Sequence, residues 1–489
     1  MMKLRELMEG IDLLGGTADP ETEVTGVCYD SRKVTPGCVF VAVSGFAADG
    51  NRFIPMAMEK GAALVVTERV PAQEVPYLRV SSCRGALAAM GANWYGHPAE
   101  KMTMVGVTGT NGKTSVTMLL KQVLEQCLGT KVGLIGTIQN MIGDQVLYTE
   151  RTTPESFELQ GLFAQMLTAG CTHVVTEVSS HAIALDRVGG VRYEVGVFTN
   201  LTEDHLDFHK TMENYAETKA KLFRRCKIGI FNGDDPWYNT MLRGASCRVY
   251  TTGELCKDPD LGARDVDLCA DHVSFTAVTA GECCPVRVGI PGRFTVYNAL
   301  SVLGAAVNLG ISLRDAAEAL GKARGVKGRI EVVPTPGEDF TVLIDYAHTP
   351  DGLENVLRSV RDFCRGRVVA VFGCGGDRDP IKRPIMGRIG VENSDLAVIT
   401  SDNPRTEDPN KIIEDILVGV AGSKTPYVVI ENRRRAIAWA LDHGKKDDII
   451  VLAGKGHETY QEIGRERIHL DEREEVAAWL AGRNGKKEG

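Results

Sequence analysis

The stretch that most constrains this chain is Gly106-Val107-Thr108-Gly109-Thr110-Asn111-Gly112-Lys113-Thr114. An apolar run over 102–107 leads into it, and a helical pattern over 114–125 leads out. A Gly-rich turn between a buried strand and a helix is the setting of a phosphate loop. Glycines let backbone amides approach phosphate oxygens, and the helix start adds positive potential. Lys113 adds a point charge, and the Thr114 hydroxyl can ligate magnesium. The general spacing would put the first glycine at 107, where this chain has valine; an incidental Gly-rich turn is the alternative. No Asn-Lys-x-Asp guanine-reading motif occurs, so ATP is expected rather than GTP.

The surrounding pattern suits such a loop. Short apolar runs over 132–135, 173–178, 195–198 and 228–231 alternate with helical stretches, which predicts a parallel sheet covered on both faces. Residues 248–288 read as an antiparallel addition, and 296–309 as a buried Ala-rich helix. Before this region, β-rich runs over 24–29, 38–43 and 62–67 are separated by the turns Asp30-Ser31-Arg32 and Ala48-Asp49-Gly50-Asn51. A helix over 86–95 is then broken by Gly96-His97-Pro98. After it, strands over 341–345, 367–372, 396–400, 427–430 and 448–453 repeat the α/β theme, and a polar, frayed tail is expected over 482–489. A chain of 489 residues exceeds one hydrophobic core. Three α/β domains are expected, over 1–98, 99–329 and 330–489.

Composition removes several function classes. With 56 basic against 64 acidic residues the net charge is −8, a poor basis for bulk nucleic-acid binding. No apolar stretch nears the roughly 20 residues of a membrane span, and the first residues lack a secretory core, so a cytoplasmic enzyme is expected. Thirteen scattered cysteines without a Cys-x-x-Cys pair predict reduced thiols and no structural zinc.

In open α/β sheets ligands gather at the carboxyl ends of the strands. Glu177-Val178-Ser179-Ser180-His181 follows one strand, and its carboxylate could hold magnesium or simply face solvent in a capped turn. The segment 199–209 follows another, with His205 and His209 among three acids, and suggests a second metal or substrate site. Lys219 on the next helix, taken alone, reads as a solvated lysine. Asp345, ahead of Tyr346-Ala347-His348, could bond a ribose hydroxyl or cap the following helix. Gly373-Cys374-Gly375-Gly376-Asp377-Arg378-Asp379 is Gly-rich with basic residues nearby and suits phosphate or carboxylate. In Asp402-Asn403-Pro404-Arg405 the guanidinium fork suits a carboxylate and the aspartate an ammonium, the complement of an amino-acid head group. Gly454-Lys455-Gly456-His457-Glu458 adds one more carboxylate.

Taken together, residues 108–114, Glu177 to His181, Asn200-Leu201 with His205-Leu206-Asp207, and Asp345-Tyr346-Ala347-His348 resemble the Mur ligases of cell-wall synthesis, over essentially the whole chain. Asp30-Ser31-Arg32, Thr152-Thr153-Pro154, Asp402 to Arg405 and Gly454 to Glu458 resemble one branch of that family, and within it the tetrapeptide Asp402-Asn403-Pro404-Arg405 resembles the signature of members that add meso-diaminopimelate rather than L-lysine.

The resemblance implies an N-terminal α/β nucleotide-sugar domain, a central P-loop ATPase domain with a parallel sheet, and a C-terminal Rossmann-like domain that takes the amino acid. It implies a monomeric, ATP- and Mg²⁺-dependent amide ligase acting on UDP-N-acetylmuramoyl-L-alanyl-D-glutamate through an acyl phosphate. Carried over, Lys113, Glu177, His205 and Lys219 are catalytic. Gly109, Thr110, Asn111, Gly112, Lys113, Thr114, Ser115, Asn298, Arg329 and Asp345 serve ATP. Ser31, Thr152, Thr153, Ser179 and Arg187 serve the UDP-muramoyl-dipeptide, and Arg378, Asp402, Asn403, Pro404, Arg405, Gly454 and Glu458 the amino acid. One magnesium would lie by Thr114 and Glu177, the other by His205 and a carbamate formed on Lys219. The base for the attacking amine stays open among His209, His348 and the phosphate. The rivals are a lysine-adding relative, a folylpolyglutamate synthetase-like ligase and a P-loop regulatory NTPase.

Overall fold

The computed structural model describes residues 1–45, 49–147, 149 and 151–487, with side chains to Arg483 in the final helix. Ala48 of the expected 48–51 turn, and residues 488–489 of the expected tail, lie outside these. The tail is otherwise not frayed: the helix Glu472–Lys487 runs through it. The chain divides into two compact units, residues 1–261 with 301–316, and residues 262–300 with 317–489.

The first unit carries two sheets. The smaller has the order Leu13–Gly16, Tyr77–Val80, Leu64–Thr67, Val39–Val41, Val27–Cys28 and is parallel except for its first strand. The run over 24–29 is therefore not one strand. Val24 pairs with Met2 in a separate two-stranded ribbon, and Val27–Cys28 joins the sheet beyond Gly26. The helix Cys83–Tyr95 starts three residues earlier than its apolar pattern, because Ser82 caps it by accepting from the Gly85 amide.

The second sheet carries the Gly-rich loop 109–112 at the end of one of its strands. Lys131–Ile135, Cys171–Glu177, Thr103–Thr108, Tyr193–Phe198, Cys226–Asn232 and Arg248–Gly253 lie side by side and parallel. An antiparallel hairpin, Asn140–Ile142 with Gln145–Leu147, extends one edge. Arg248–Gly253 corrects the antiparallel reading of its segment, since it pairs parallel with Cys226–Asn232. The helix Tyr238–Leu242 between the two returns the chain to the same end of the sheet, as a parallel connection requires. The helix Lys113–Leu128 buries Val116, Leu119, Leu120, Val123 and Leu124, spaced three and four apart so that they form one apolar stripe.

The second unit holds the antiparallel strands Leu261–Leu268, Val273–Val278 and Cys283–Val288. Its main sheet has the order Glu331–Val333, Thr341–Asp345, Ile449–Ala453, Val368–Phe372, Leu396–Ile399, Tyr427–Val429, parallel after the first strand. Leu343, Ala370, Ala397 and Val451 face one core, with Leu353, Met386 and Ile416 from three helices. Their neighbours Val342, Val371, Val398 and Ile450 face a second core with Ile437 and Leu441. Alternate residues thus fill two cores, which explains uninterrupted apolar runs in place of an apolar–polar alternation. A hairpin, Tyr460–Ile463 with Glu466–His469, follows the strand Ile449–Ala453.

Candidate active site

Gly109 ends the strand Thr103–Thr108 with φ +148°, and a Cβ there would collide with Thr199 Oγ1. Glycine is therefore required by both conformation and space. The loop is braced by the neighbouring strand end. Thr110 and Asn111 donate their amides to Asn200 O and Oδ1 (2.9 Å each), and Thr199 Oγ1 donates to Asn111 O (2.6 Å). Lys113 Nζ donates back to Gly109 O (2.9 Å) and Thr110 O (2.7 Å), while Thr114 and Ser115 sit half-buried in the first turn of the helix. The first amides of that helix have no preceding turn to accept them and carry its positive end.

Lys219 is 1% exposed and donates to the same carbonyl, Gly109 O, at 2.7 Å. Its Nζ also lies 4.5 Å from the Tyr215 ring centroid. Burial first, then the charge of Lys113, push this amine well below the ordinary lysine range, with Asp204 opposing. The solvated-lysine reading of Lys219 is thus corrected. The helix Met212–Ala220 buries it against the Gly-rich loop.

Imidazoles gather beside this pair. The His181 ring is 4.8 Å from that of His205 and 5.7 Å from that of His209. His205 is exposed, with φ +54° and Nε2 3.4 Å from Asp204 Oδ2. His209 is buried, its Nε2 2.9 Å from Ser180 Oγ. Burial, then His181 and Lys219, lower its pKa to about 4. It is a poor proton acceptor near neutrality. His348 Nδ1 bonds Tyr346 O at 2.8 Å.

Glu177 ends its strand buried, accepting from Thr137 N and Thr137 Oγ1 at 2.9 Å each. A Cβ on Gly136 would lie 2.7 Å from Glu177 Oε1, so this carboxylate also depends on a glycine for space. The residues assigned to the muramoyl-dipeptide collect here. Thr152 Oγ1 lies 3.1 Å from Thr137 Oγ1, and Thr153 Oγ1 donates to Glu177 O (2.7 Å). Ser179 Oγ accepts from the Ala182 amide, and Arg187 pairs with Glu155 (2.8 Å) and donates to Thr153 O (3.3 Å). Thr153 and Ser179 therefore brace the strand end. Ser31 is buried, and its neighbours Asp30 and Arg32 line a cleft of about 870 Å³ with Arg151, Glu155 and Glu158. Glu155 and Thr137 were not singled out from the sequence. Their signal is only proximity in the chain to Thr152 and to the strand end at Ile135.

In the second unit both oxygens of Asp345 are committed, to Ile330 N (2.8 Å) and Ala347 N (2.9 Å). Thr349, rather than Asp345, caps the helix Pro350–Arg361. Burial raises the Asp345 carboxyl above its ordinary value. Asn298 is buried within the helix Arg293–Asn308, and the Arg329 guanidinium lies 5.6 Å from the Tyr346 ring centroid. Arg378 is exposed and donates to Asp377 O (3.1 Å).

The 402–405 turn meets the segment after Gly454. Asp402 is buried, and Gly454, at φ +117°, leaves room for its carboxylate, since a Cβ there would collide with Asp402 Oδ2. Asn403 Nδ2 donates to Glu458 Oε2 (3.0 Å). Pro404 O packs against Gly376, where a Cβ would collide with it. Arg405, at φ +52°, donates through Nε to Glu462 Oε2 (2.9 Å) and through Nη1 to Gly376 O (2.7 Å). Glu462 and Lys455, absent from the sequence-based site, complete this cluster: Lys455 Nζ donates to Asn403 Oδ1 and Glu458 Oε2. Among the described residues, no trio of His, Cys, Asp or Glu forms a ready metal cage, no helix is long and apolar enough to cross a membrane, and all thirteen cysteines are free.

Residues 23–95, 107–306 and 328–456 match, in turn, the Mur ligase family catalytic domain, the Mur ligase middle domain and the Mur ligase glutamate ligase domain. The chain is 46% identical, over 97% of its length and 98% of the relative's, to UDP-N-acetylmuramoyl-L-alanyl-D-glutamate–2,6-diaminopimelate ligase of Clostridium tetani. It is 47% identical, over 98% and 99%, to a ligase of the same description from Clostridium acetobutylicum. A solved structure described by the same activity superposes with a TM-score of 0.76 at 30% identity, covering 99% of each chain.

Proposed function

The chain belongs to the Mur ligase family, and from that premise we propose that it joins meso-diaminopimelate to UDP-N-acetylmuramoyl-L-alanyl-D-glutamate with ATP, as a cytoplasmic step of peptidoglycan precursor synthesis. The observation that carries the choice of amino acid is the cluster of Arg405 with Asp402 and Glu458 at the strand ends of the second unit. A guanidinium fork beside two carboxylates complements a zwitterionic head group. Diaminopimelate has such a group at its far end, whereas lysine has only an ammonium there.

A carboxylate resists attack by an amine because oxide is a poor leaving group. Transfer of the γ-phosphoryl group to a glutamate carboxylate oxygen gives an acyl phosphate and ADP. The amine then adds to the acyl carbon, the tetrahedral intermediate expels phosphate, and the nitrogen loses its proton. Phosphoryl transfer depends mostly on positioning and charge neutralisation. Lys113 and the helix start beside it supply positive charge at the loop.

The Thr114 hydroxyl, the Glu177 carboxylate and a carbamate on Lys219 are oxygen donors of the kind magnesium takes, a hard ion commonly completed by substrate phosphates, and His205 would add one nitrogen. The Thr114 hydroxyl and the buried Glu177 carboxylate would hold one ion. His205 and Lys219 would hold the other once Lys219 carries a carbamate. When bound, the ions neutralise charge on the phosphates. An ammonium cannot ligate a cation, but burial and then the charge of Lys113 push the Lys219 amine well below the ordinary lysine range, which favours the neutral form that adds to CO₂ with loss of a proton.

Phosphate release by the purified protein, given ATP, Mg²⁺ and the UDP-muramoyl-dipeptide, tests the reading. Release should require meso-diaminopimelate. Release indifferent to any amino acid would instead mark a regulatory NTPase or another ligase substrate.

A further inference from the structure

Lys455 follows the strand Ile449–Ala453 and is 0% exposed. Its Nζ donates to Asn403 Oδ1 (2.6 Å) and Glu458 Oε2 (3.0 Å). A buried ammonium is retained only where it is well paired. Asn403 Oδ1 accepts a second hydrogen bond from the Glu462 amide (3.0 Å). Two donors on one oxygen fix which way the Asn403 amide faces, and its Nδ2 is left to donate to Glu458 Oε2 (3.0 Å). Glu458 Oε2 thus receives both Lys455 and Asn403. Among the described residues its Oε1 has no hydrogen-bond partner, and the Glu458 side chain keeps 14% of its surface exposed.

Resting on the proposed amino-acid site, we propose that Lys455 is its positioning residue: it locks the Asn403 amide and commits one oxygen of Glu458, so that the other receives the distal ammonium of a diamino diacid. Lys455 touches no substrate and acts through Glu458. Charge alone would let an incoming ammonium approach Glu458 in several ways. With Oε2 held by a buried cation, only Oε1 is offered, and the bound ammonium acquires one direction.

The test uses the full chain and two amino acids. 2-Aminopimelate keeps the attacking amine and both carboxylates of diaminopimelate but lacks the distal ammonium. Wild-type kcat/KM should favour diaminopimelate by about 100-fold or more, because a site built to bond a group rejects the analogue without it. In Lys455→Met the KM for diaminopimelate should rise about tenfold or more, the KM for ATP should stay within about twofold, and the preference should shrink to about tenfold or less. Glu458→Gln should collapse the preference as well. The double variant should be no worse than the more damaged single, as expected of two residues acting as one unit. An equal loss on both amino acids in Lys455→Met, or additive losses in the double variant, overturns the inference in favour of a purely structural ion pair. Full preference retained by Glu458→Gln overturns it too, whether or not Lys455→Met folds. A wild type that needs no diaminopimelate overturns the functional reading beneath it.

Discussion

Replacing Arg405 should separate recognition of the amino acid from the use of ATP. Its guanidinium is fixed at two corners, Nε on Glu462 and Nη1 on Gly376 O, which leaves a planar edge for a ligand carboxylate. Arg405→Ala removes that edge. A charge-assisted hydrogen bond is worth about 1.5–3 kcal/mol. At about 1.4 kcal/mol per factor of ten, kcat/KM for diaminopimelate should fall about 10- to 150-fold. Glu462 retains a second cation, Arg467 (3.0 Å), so the loss should not unfold the hairpin. The backbone adds a check. Arg405 sits at φ +52°, pinned by its amide to Glu462 O and by Gly464 N to its carbonyl. A left-handed non-glycine residue costs about 1–2 kcal/mol. Arg405→Gly should therefore be more stable to urea than Arg405→Ala by about 1 kcal/mol while losing diaminopimelate turnover just as fully. Initial rates of phosphate release against diaminopimelate and against ATP, with urea midpoints for both variants, give the answer. An equal rise in the KM for ATP, or unchanged preference for diaminopimelate over lysine, would refute the assignment.

Three further outcomes are expected. Lys219→Ala should lose at least about 100-fold in turnover and regain part of it with a small added carboxylate in place of the carbamate; full activity without the additive rules the carbamate out. Gly109→Ala should raise the KM for ATP about tenfold or more, because its Cβ would strike Thr199 and the positive φ would be strained; an unchanged KM in a titration with ATP would exclude a phosphate-binding role for this loop. Asp345 is raised by burial, so between its unfolded value of 3.8 and its higher folded value the native chain holds more protons than the unfolded one. Stability from this group then falls as pH rises through that window. Asp345→Asn should flatten that part of the profile in urea midpoints measured from pH 4 to 7, and an unaltered slope would contradict it.

The sequence made the sheets legible where burial is two-sided. Val368–Phe372 and Ile449–Ala453 are apolar at every position, and both lie between two cores. It failed where conformation or pairing is non-local. Leu13–Gly16 is exposed at every position and ends in two glycines at positive φ, so its two leucines show neither the alternation nor the buried run that marks a strand. The parallel partner of Arg248–Gly253 depends on the short helix before it. In the site, loop chemistry pointed to the 402–405 turn and to Glu458. The partners that orient them come from elsewhere, with Glu462 57 residues beyond Arg405 and Lys455 52 beyond Asn403. Contacts at that separation leave no periodic trace. Lys219 was visible only through the family resemblance, because its burial comes from a carbonyl 110 residues earlier.

The most direct measurement is a competition. The purified protein would receive ATP, Mg²⁺, the UDP-muramoyl-dipeptide and equal amounts of meso-diaminopimelate and L-lysine, and the products would be resolved by mass. The expected result is the heavier diaminopimelyl product almost alone, formed with one phosphate and one ADP per amide bond. A predominant lysyl product would contradict the reading of Arg405 and Glu458, and nucleotide hydrolysis without either product would contradict the ligase itself.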